Sequence, residues 1–578
     1  MKLMLYYIRK YKRYVFLSII CSLGFVLIEI GLPTLLARMI DKGILAGDFE
    51  VVKQIGLFMV LICAIGFVGL IGLAYSGSKI TTSITRDIRN DVFEKVQGFS
   101  HSEFGKFGSA SLITRTTNDA FKIMTFLQMA LRVGIIAPLM LITSLIMVIK
   151  VSPSLSLGLL GAIPPIILGV FIIGKKADPL SAYQQATIDG INMKFKESLT
   201  GLRVIRAFGK EELQRERFNE VNTEYAGVSK KLFKLMAIAQ PGFWFIFSIL
   251  FIFVISFGAM LIGKSDLLVG DLVAFVEYIF HAMFSTMLFA NVFIMYPLAA
   301  VSAKRIQKIL DTETSINENE SSKNIEIKNG KVEFKNVSFA YGDDETILKN
   351  ISFTANPGET VAIIGSTGSG KSTLIHLIPR FYDATSGEVL IDGVNVKEYN
   401  LKSLRKGIGM ALQKAVLFTG TIKENFLYGK EDATISDMEK ASEIAQAKYF
   451  IEGKEKRYDE FLSEGGNNLS GGQKQRLSIA RAIVRKPKIY IFDDSFSALD
   501  YKTDASLRAA LKEETENKTV IIVAQRVGTI RNADKIIVLN NGEIAAIGKH
   551  KELLKTSDIY YDIASSQLSR EELIQDEK

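Results

Sequence analysis

The sequence predicts a multi-domain protein. An all-α membrane domain of six spanning helices occupies residues 1–310, a linker 311–328, and an α/β domain built round a phosphate-binding loop 329–578. Three observations carry this expectation. With 578 residues, 48% hydrophobic and only 23% charged, the chain is too long for one core and too apolar for an ordinary soluble protein. Its apolar residues form span-length runs in the first half and strand-length runs in the second. Finally, Gly365-Ser366-Thr367-Gly368-Ser369-Gly370-Lys371-Ser372-Thr373 fits the P-loop pattern G-x-x-x-x-G-K-[ST].

Six stretches are long enough to cross a bilayer, at roughly twenty residues each. They lie near 14–38, 54–76, 127–149, 155–174, 237–263 and 271–296. Pro33 and Pro241 fall in the first and fifth, where neighbouring helices can satisfy the freed carbonyls. Before them, a basic amphipathic segment at 1–13 reads as an interfacial elbow helix. Lys and Arg crowd the 175–234 connection, whereas the short connections at Asp48, Pro153 and Asp266 carry almost none. The positive-inside rule therefore places the basic segments and both termini in the cytoplasm. The same rule accounts for the net charge of +9, and no nucleic-acid reader module accompanies it, so a nucleic-acid partner is not expected. Cys21 and Cys63 both lie in apolar runs and form neither a disulfide framework nor a zinc site.

The two long connections, 77–126 and 175–236, read as helices running on beyond the bilayer, with Ile84, Ile88, Val92, Phe93 and Val96 spaced as an apolar face. Each breaks once, at Ser100–Gly105 and at Arg206–Glu211, where either a short crossing helix or an ordinary turn fits. The polar, acidic stretch 311–323 reads as linker. Beyond it, short apolar strands alternate with helical patterns, as in an α/β domain with a largely parallel core sheet.

Within that domain the P-loop glycines let backbone N–H groups turn toward phosphate oxygens, Lys371 adds a point charge, and the Ser372 hydroxyl can ligate Mg²⁺. The apolar run Ile489–Phe492 ends in Asp493, a carboxylate at a strand tip, where an α/β sheet places a group for the Mg²⁺ shell. Downstream, Leu469-Ser470-Gly471-Gly472-Gln473 offers a hydroxyl and glycine N–H groups at a helix start. This pentapeptide, the P-loop and the apolar first half together make the chain resemble the ABC transporters. The resemblance covers nearly the whole chain and implies a type I exporter-like membrane domain, ATP and Mg²⁺ as ligands, and an ABC-type transport ATPase activity. It implies that Tyr341 stacks on adenine, although a strand-end tyrosine is the plainer reading of that residue alone. By the same resemblance Gln413 contacts the metal or the attacking water, Ser497 to Asp500 form the D-loop, and Glu464 touches a coupling helix. It also implies that the two short breaks are coupling helices, and that Ser470 to Gln473 close over ATP held by a second subunit.

Two positions depart from the family. Where it has a glutamate after the strand-end Asp, this chain has Asp494, whose carboxylate stops roughly 1.5 Å short. Where it has a switch histidine, this chain has Gln525, an amide that donates hydrogen bonds but cannot relay a proton. Together they point to a site that binds ATP and cleaves it poorly, as in the degenerate-site subunit of bacterial heterodimeric multidrug ABC exporters. The resemblance thus implies a second half-transporter as partner, membrane lipids around the spans, a bacterial cytoplasmic membrane location, and export of amphiphilic compounds. Lipid or peptide export and a non-pumping ATP-gated regulatory subunit stand as alternatives. For the substrate, Trp244, Phe247, Tyr278 and Phe284 are candidate pocket aromatics. Glu29 and Glu277 are carboxylates at membrane depth, read either as attractors of cationic substrates or as helix-to-helix hydrogen-bond partners.

Overall fold

The computed structural model describes residues 2–317, 324–342, 345–569 and 571–573. Residues 318–323 of the expected linker lie outside them. The chain divides into two compact units, one of Met1–Gln97 with Gly108–Thr312, the other of Gly98–Phe107 with Glu313–Lys578.

The first unit is helical. Among the described residues six helices are long and apolar enough to span a membrane, and every expected span falls within one of them. They contain Lys12–Met39, Phe49–Gln97, Ala120–Val151, Pro153–Thr200, Ala239–Gly263 and Val269–Leu310. The 49 residues of Phe49–Gln97 rise about 74 Å, more than twice a hydrocarbon core, so this helix runs on past any bilayer. Its far part is stitched by Ile80, Ile84, Ile88 and Val92, all fully buried at four-residue spacing. Phe93, expected on that stripe, is 61% exposed, because it lies one position round the helix from Val92. Pro33 sits inside the first span, whereas Pro241 is the third residue of the fifth, in the first turn, where no intrahelical hydrogen bond is lost. The basic N-terminal segment is helical over Lys2–Lys10. Tyr7 donates to Asp91 at 2.5 Å and Tyr11 to Asp87 at 2.7 Å, pinning this segment to the second spanning helix.

Close approach of the first two spans rests on glycine. A Cβ at Gly66 would lie 2.9 Å from the Gly24 carbonyl and nearer still to the Ile28 side chain. The second expected break is displaced: its short helix is Leu202–Ala207, and 208–210 make the turn, with Gly209 at φ +57°. Gly201 ends the preceding helix early, which moves the crossing segment toward the N-terminus.

The second unit is α/β. Its strands are β1 Val332–Ala340, β2 Thr346–Ala355, β3 Thr360–Gly365, β4 Ser386–Ile391, β5 Val394–Asn395, β6 Ile408–Ala411, β7 Gly420–Thr421, β8 Phe461–Leu462, β9 Ile489–Asp493, β10 Thr519–Val523, β11 Lys535–Asn540 and β12 Glu543–Gly548. A six-stranded sheet runs β12-β11-β3-β10-β9-β6, parallel except for β12, and an antiparallel sheet runs β2-β1-β4-β5. Strands β9 and β10 are buried throughout, which explains their unbroken apolar sequence. The helix His101–Phe107 belongs to this unit. The His101 ring stacks on Phe381 at 4.4 Å, and Glu103 accepts from the Ser100 and Ser315 backbone N–H groups.

Candidate nucleotide site and membrane cavity

Parallel register brings the site together. Val523 pairs with Asp493, Ala411 with Phe492, and Val523 with Ile363, so β3, β6, β9 and β10 end along one edge. Ligands of such sheets bind beyond the strands' carboxyl ends. Just past those ends come Ser366, Gln413, Asp494 and Gln525.

The P-loop leaves β3 at Gly365 and enters the helix Lys371–His376. Gly368 and Gly370 have φ +85° and +98°, a left-handed backbone that other residues adopt only under strain. A Cβ at Gly365 would come within 2.1 Å of the Leu539 carbonyl oxygen. Thr367 and Gly368 form the outer turn of the loop, closed by the Ser369 N–H donating to the Ser366 carbonyl at 3.2 Å. Lys371 Nζ donates to the carbonyls of Gly365 at 2.9 Å and Ser366 at 2.7 Å, which holds the ammonium over the loop's mouth. Burial lowers the Lys371 pKa, opposed by Asp494 and Asp493. Ser369 Oγ is buried and among the described residues has no hydrogen-bond partner, a hydroxyl suited to a phosphate oxygen. Ser372 Oγ donates to Asp493 Oδ1 at 3.0 Å, and burial raises the Asp493 pKa. Mg²⁺ is characteristically held by one or two protein carboxylates together with substrate phosphates, and this hydroxyl–carboxylate pair fits that need. Among the described residues no group of three or more His, Cys, Asp or Glu forms a metal cluster. Beside the loop, the Tyr341 hydroxyl lies 3.1 Å from Thr373 Oγ1, and its ring meets Tyr382 edge-on at 5.1 Å.

Asp494 is the junction of the site. Its Oδ2 accepts from Gln525 Nε2 at 3.0 Å and from Gln413 Nε2 at 3.3 Å, so the two departures from the family pattern touch each other. Its own N–H donates to the Val523 carbonyl at 2.9 Å, and its φ is +46°. Burial is the main influence on its carboxyl and raises the pKa, against the hydrogen bond from Gln413. Ser497 Oγ donates to the Asp494 carbonyl at 2.8 Å.

The pentapeptide forms a capping box: Gln473 N–H donates to Ser470 Oγ at 3.3 Å, and Ser470 N–H to Gln473 Oε1 at 3.0 Å. Ser470 and Gly471 are exposed and Gly472 half-buried at the start of the helix Gly471–Val484. Asp500 caps Tyr501–Glu514 by accepting from Thr503, and those bonds lower its pKa. Glu464 is exposed in a single 3₁₀ turn.

In the membrane unit, a cavity of about 320 Å³ opens among the first, second, third and sixth spanning helices. Of the six candidate substrate residues, Glu29 and Phe284 line it. Trp244 and Phe247 stand behind it, packed against the lining residue Phe280 at 6.2 and 5.6 Å. Tyr278 is 1% exposed with its hydroxyl 2.6 Å from Thr34 Oγ1, so it is a packing residue and not part of the lining. Glu277 is exposed and outside the lining. Glu29 Oε2 lies 3.3 Å from His281 Nε2, giving this carboxylate a helix-to-helix partner. Sequence reasoning passed over Arg132 and His281, although both fall inside expected spans, where ionisable residues of either sign are informative.

A membrane-spanning helical unit and a P-loop α/β unit define an ATP-powered membrane transporter. The family models agree: the ABC transporter transmembrane region matches residues 15–287, and the ABC transporter model matches 348–497. An uncharacterized ABC transporter ATP-binding protein of Mycobacterium tuberculosis is 36% identical over 97% of both chains. The Bacillus subtilis protein YfiB, also an uncharacterized ABC transporter ATP-binding protein, is 35% identical over 98% of both. A fatty acid ABC transporter ATP-binding/permease protein of Mycobacterium tuberculosis is 32% identical over 82% of this chain and 75% of its own. The solved structure of a bacterial Atm1-family ABC exporter with ATP bound superposes with TM-score 0.81 at 25% identity, covering 97% of this chain and 99% of that one. The chain therefore belongs to the ABC transporter family. It is a membrane protein with the type I exporter fold and an ATP-hydrolysing transport ATPase domain.

Proposed function

We propose that this chain is one half of a heterodimeric ABC exporter. It holds ATP in a low-turnover site of its own and lends Ser470, Gly471, Gly472 and Gln473 to a hydrolysing site on its partner. The supporting observation is the coordination of Asp494. A general base must come within hydrogen-bond reach of the attacking water. Asp494 ends a methylene short of the family's glutamate, and its Oδ2 already accepts two amide donors, Gln413 and Gln525. Neither amide can take a proton in its place.

Binding keeps its parts. The P-loop N–H groups, Ser369 and Lys371 hold phosphates, Ser372, Asp493 and Gln413 hold Mg²⁺, Tyr341 stacks on adenine, and Asp500 orders the D-loop. Mg²⁺, when bound, neutralises charge on the β- and γ-phosphate oxygens. An occupied, slowly emptied site favours the closed pair by its differential affinity for that state. The domain limits 1–310, 311–328 and 329–578, cytoplasmic termini, and amphiphilic cargo complete the reading. Lipid export is the second reading, and the relative named as a fatty acid transporter favours it.

The test is ATP turnover of the assembled pair. Neutralising the partner's carboxylate after its strand-end Asp should cost about a hundredfold or more, whereas Asp494→Asn here should cost no more than about twofold. A hundredfold loss from Asp494→Asn would refute the asymmetry.

A further inference from the structure

We propose that the membrane cavity takes a single-chain amphiphile with an anionic head, its carboxylate on Arg132 and its chain against Phe25, Phe284 and Met140. This rests on the export reading above and names the cargo's class.

The sign of charge decides the matter. Three ionisable side chains line the cavity, Glu29, Arg132 and His281. The one carboxylate among them is engaged, with Glu29 Oε2 3.3 Å from His281 Nε2 and those side chains only 28% and 10% exposed. Glu277, a turn away on the sixth spanning helix, is exposed and does not line the cavity. Arg132 is exposed, and among the described residues its guanidinium has no hydrogen bond or ion pair. What the cavity offers a ligand is therefore one unpaired guanidinium in an apolar wall, the reverse of the cation-attracting role considered for Glu29 alone. An arginine within a span is costly unless it meets an anion, and its planar fork matches a carboxylate with two parallel hydrogen bonds.

Size narrows the ligand further. The cavity, about 320 Å³, is at the low end of the ~300–1,000 Å³ usual for ligand sites. That space suits one acyl chain better than the two of a phospholipid. Around the guanidinium the lining is aromatic and aliphatic, so the chain contributes affinity through apolar burial, about fourfold per methylene.

The experiment is photolabelling of the full-length protein in phosphatidylcholine nanodiscs without ATP. The probes are a diazirine-bearing palmitate and a diazirine-bearing hexadecyl-trimethylammonium, with labelled positions read by peptide mass spectrometry. We expect the palmitate probe to mark the third and sixth spanning helices. Labelling should fall about tenfold or more in Arg132→Gln, return largely in Arg132→Lys, and weaken about fourfold for each methylene removed. The cationic probe should label poorly and gain in His281→Gln, which releases Glu29. Unchanged labelling of Arg132→Gln, or equal labelling by the cationic probe, would overturn the proposal. Stronger competition by phosphatidylglycerol than by free palmitate would overturn the single-chain assignment and give the site to a lipid headgroup. An unchanged melting transition and size-exclusion profile in detergent show that each variant's membrane unit is folded. Labelling needs no hydrolysis, so a symmetric, briskly hydrolysing dimer would refute the half-exporter reading and leave this result untouched.

Discussion

At the scale of single residues, Asp494 and Gln525 act as a pair. Their direct 3.0 Å hydrogen bond means that neither substitution alone rebuilds a family-like site. Asp494→Glu pushes a longer carboxylate against a donating amide, and Gln525→His leaves the acid out of reach of the water. Residues in such contact couple, so single changes should move turnover little and the double change Asp494→Glu/Gln525→His should raise it about a hundredfold. Single-turnover hydrolysis in a pair whose partner's base is disabled isolates this site and checks the expectation. Gains from the single changes that simply add would show that the pair is not coupled. Lys371→Ala, by contrast, removes the ammonium that reaches across the loop mouth and should abolish photolabelling of this chain by azido-ATP.

Elements carry two further expectations. The first and second spanning helices approach through Gly24, Gly66 and Gly69, with a Cβ at Gly69 only 3.0 Å from the Cys21 carbonyl. Small residues at such crossings let backbones close on each other. Gly66→Val should therefore cost about 1–3 kcal/mol and lower the melting temperature in detergent. The second concerns the helix His101–Phe107, whose His101 ring meets His376 and Phe381, with Arg405 over the Phe381 ring. Burial, and then the charge on His101, pull the His376 pKa from 6.5 to about 4. A depressed histidine favours the neutral folded state, so its stability contribution is fully present above about pH 6.5 and is lost as pH falls toward about 4. Melting curves across that window should fall, and His376→Gln should flatten them. Spans and core strands were legible because apolar runs report burial directly, as Ile489–Phe492 does. Phe93 and the shifted second break were not, because one position of helical phase separates buried Val92 from exposed Phe93, and the helix stop at Gly201 rests on a backbone bond to the Glu197 carbonyl that leaves no apolar signal. The P-loop, Asp493 and the pentapeptide were read from local spacing. The bond from Gln525 to Asp494 was not, since it arises only when β9 and β10 lie side by side.

For the whole molecule, the two kinds of site expected in the assembled pair should be separable by how long each keeps its nucleotide. A site lacking a competent base empties by dissociation, whereas a competent one empties by hydrolysis and product release. Loading the pair with radiolabelled azido-ATP, chasing with unlabelled ATP during turnover, and then crosslinking should leave label on this chain after many turnovers. The partner's label should be gone within a few. Lys371→Ala should erase the persistent label and slow transport without abolishing it, because an emptied site no longer favours closed pairs while the cleavage that drives the cycle stays on the partner. The competent nucleotide should then still be cleaved against Ser470 to Gln473 of this chain. Replacing Ser470 by Ala should thus slow the partner's hydrolysis while sparing this chain's own retained nucleotide. Equal loss of label from both subunits in the wild-type chase would mean that Asp494 cleaves as readily as a glutamate would, and the two sites would have to be treated as equivalent.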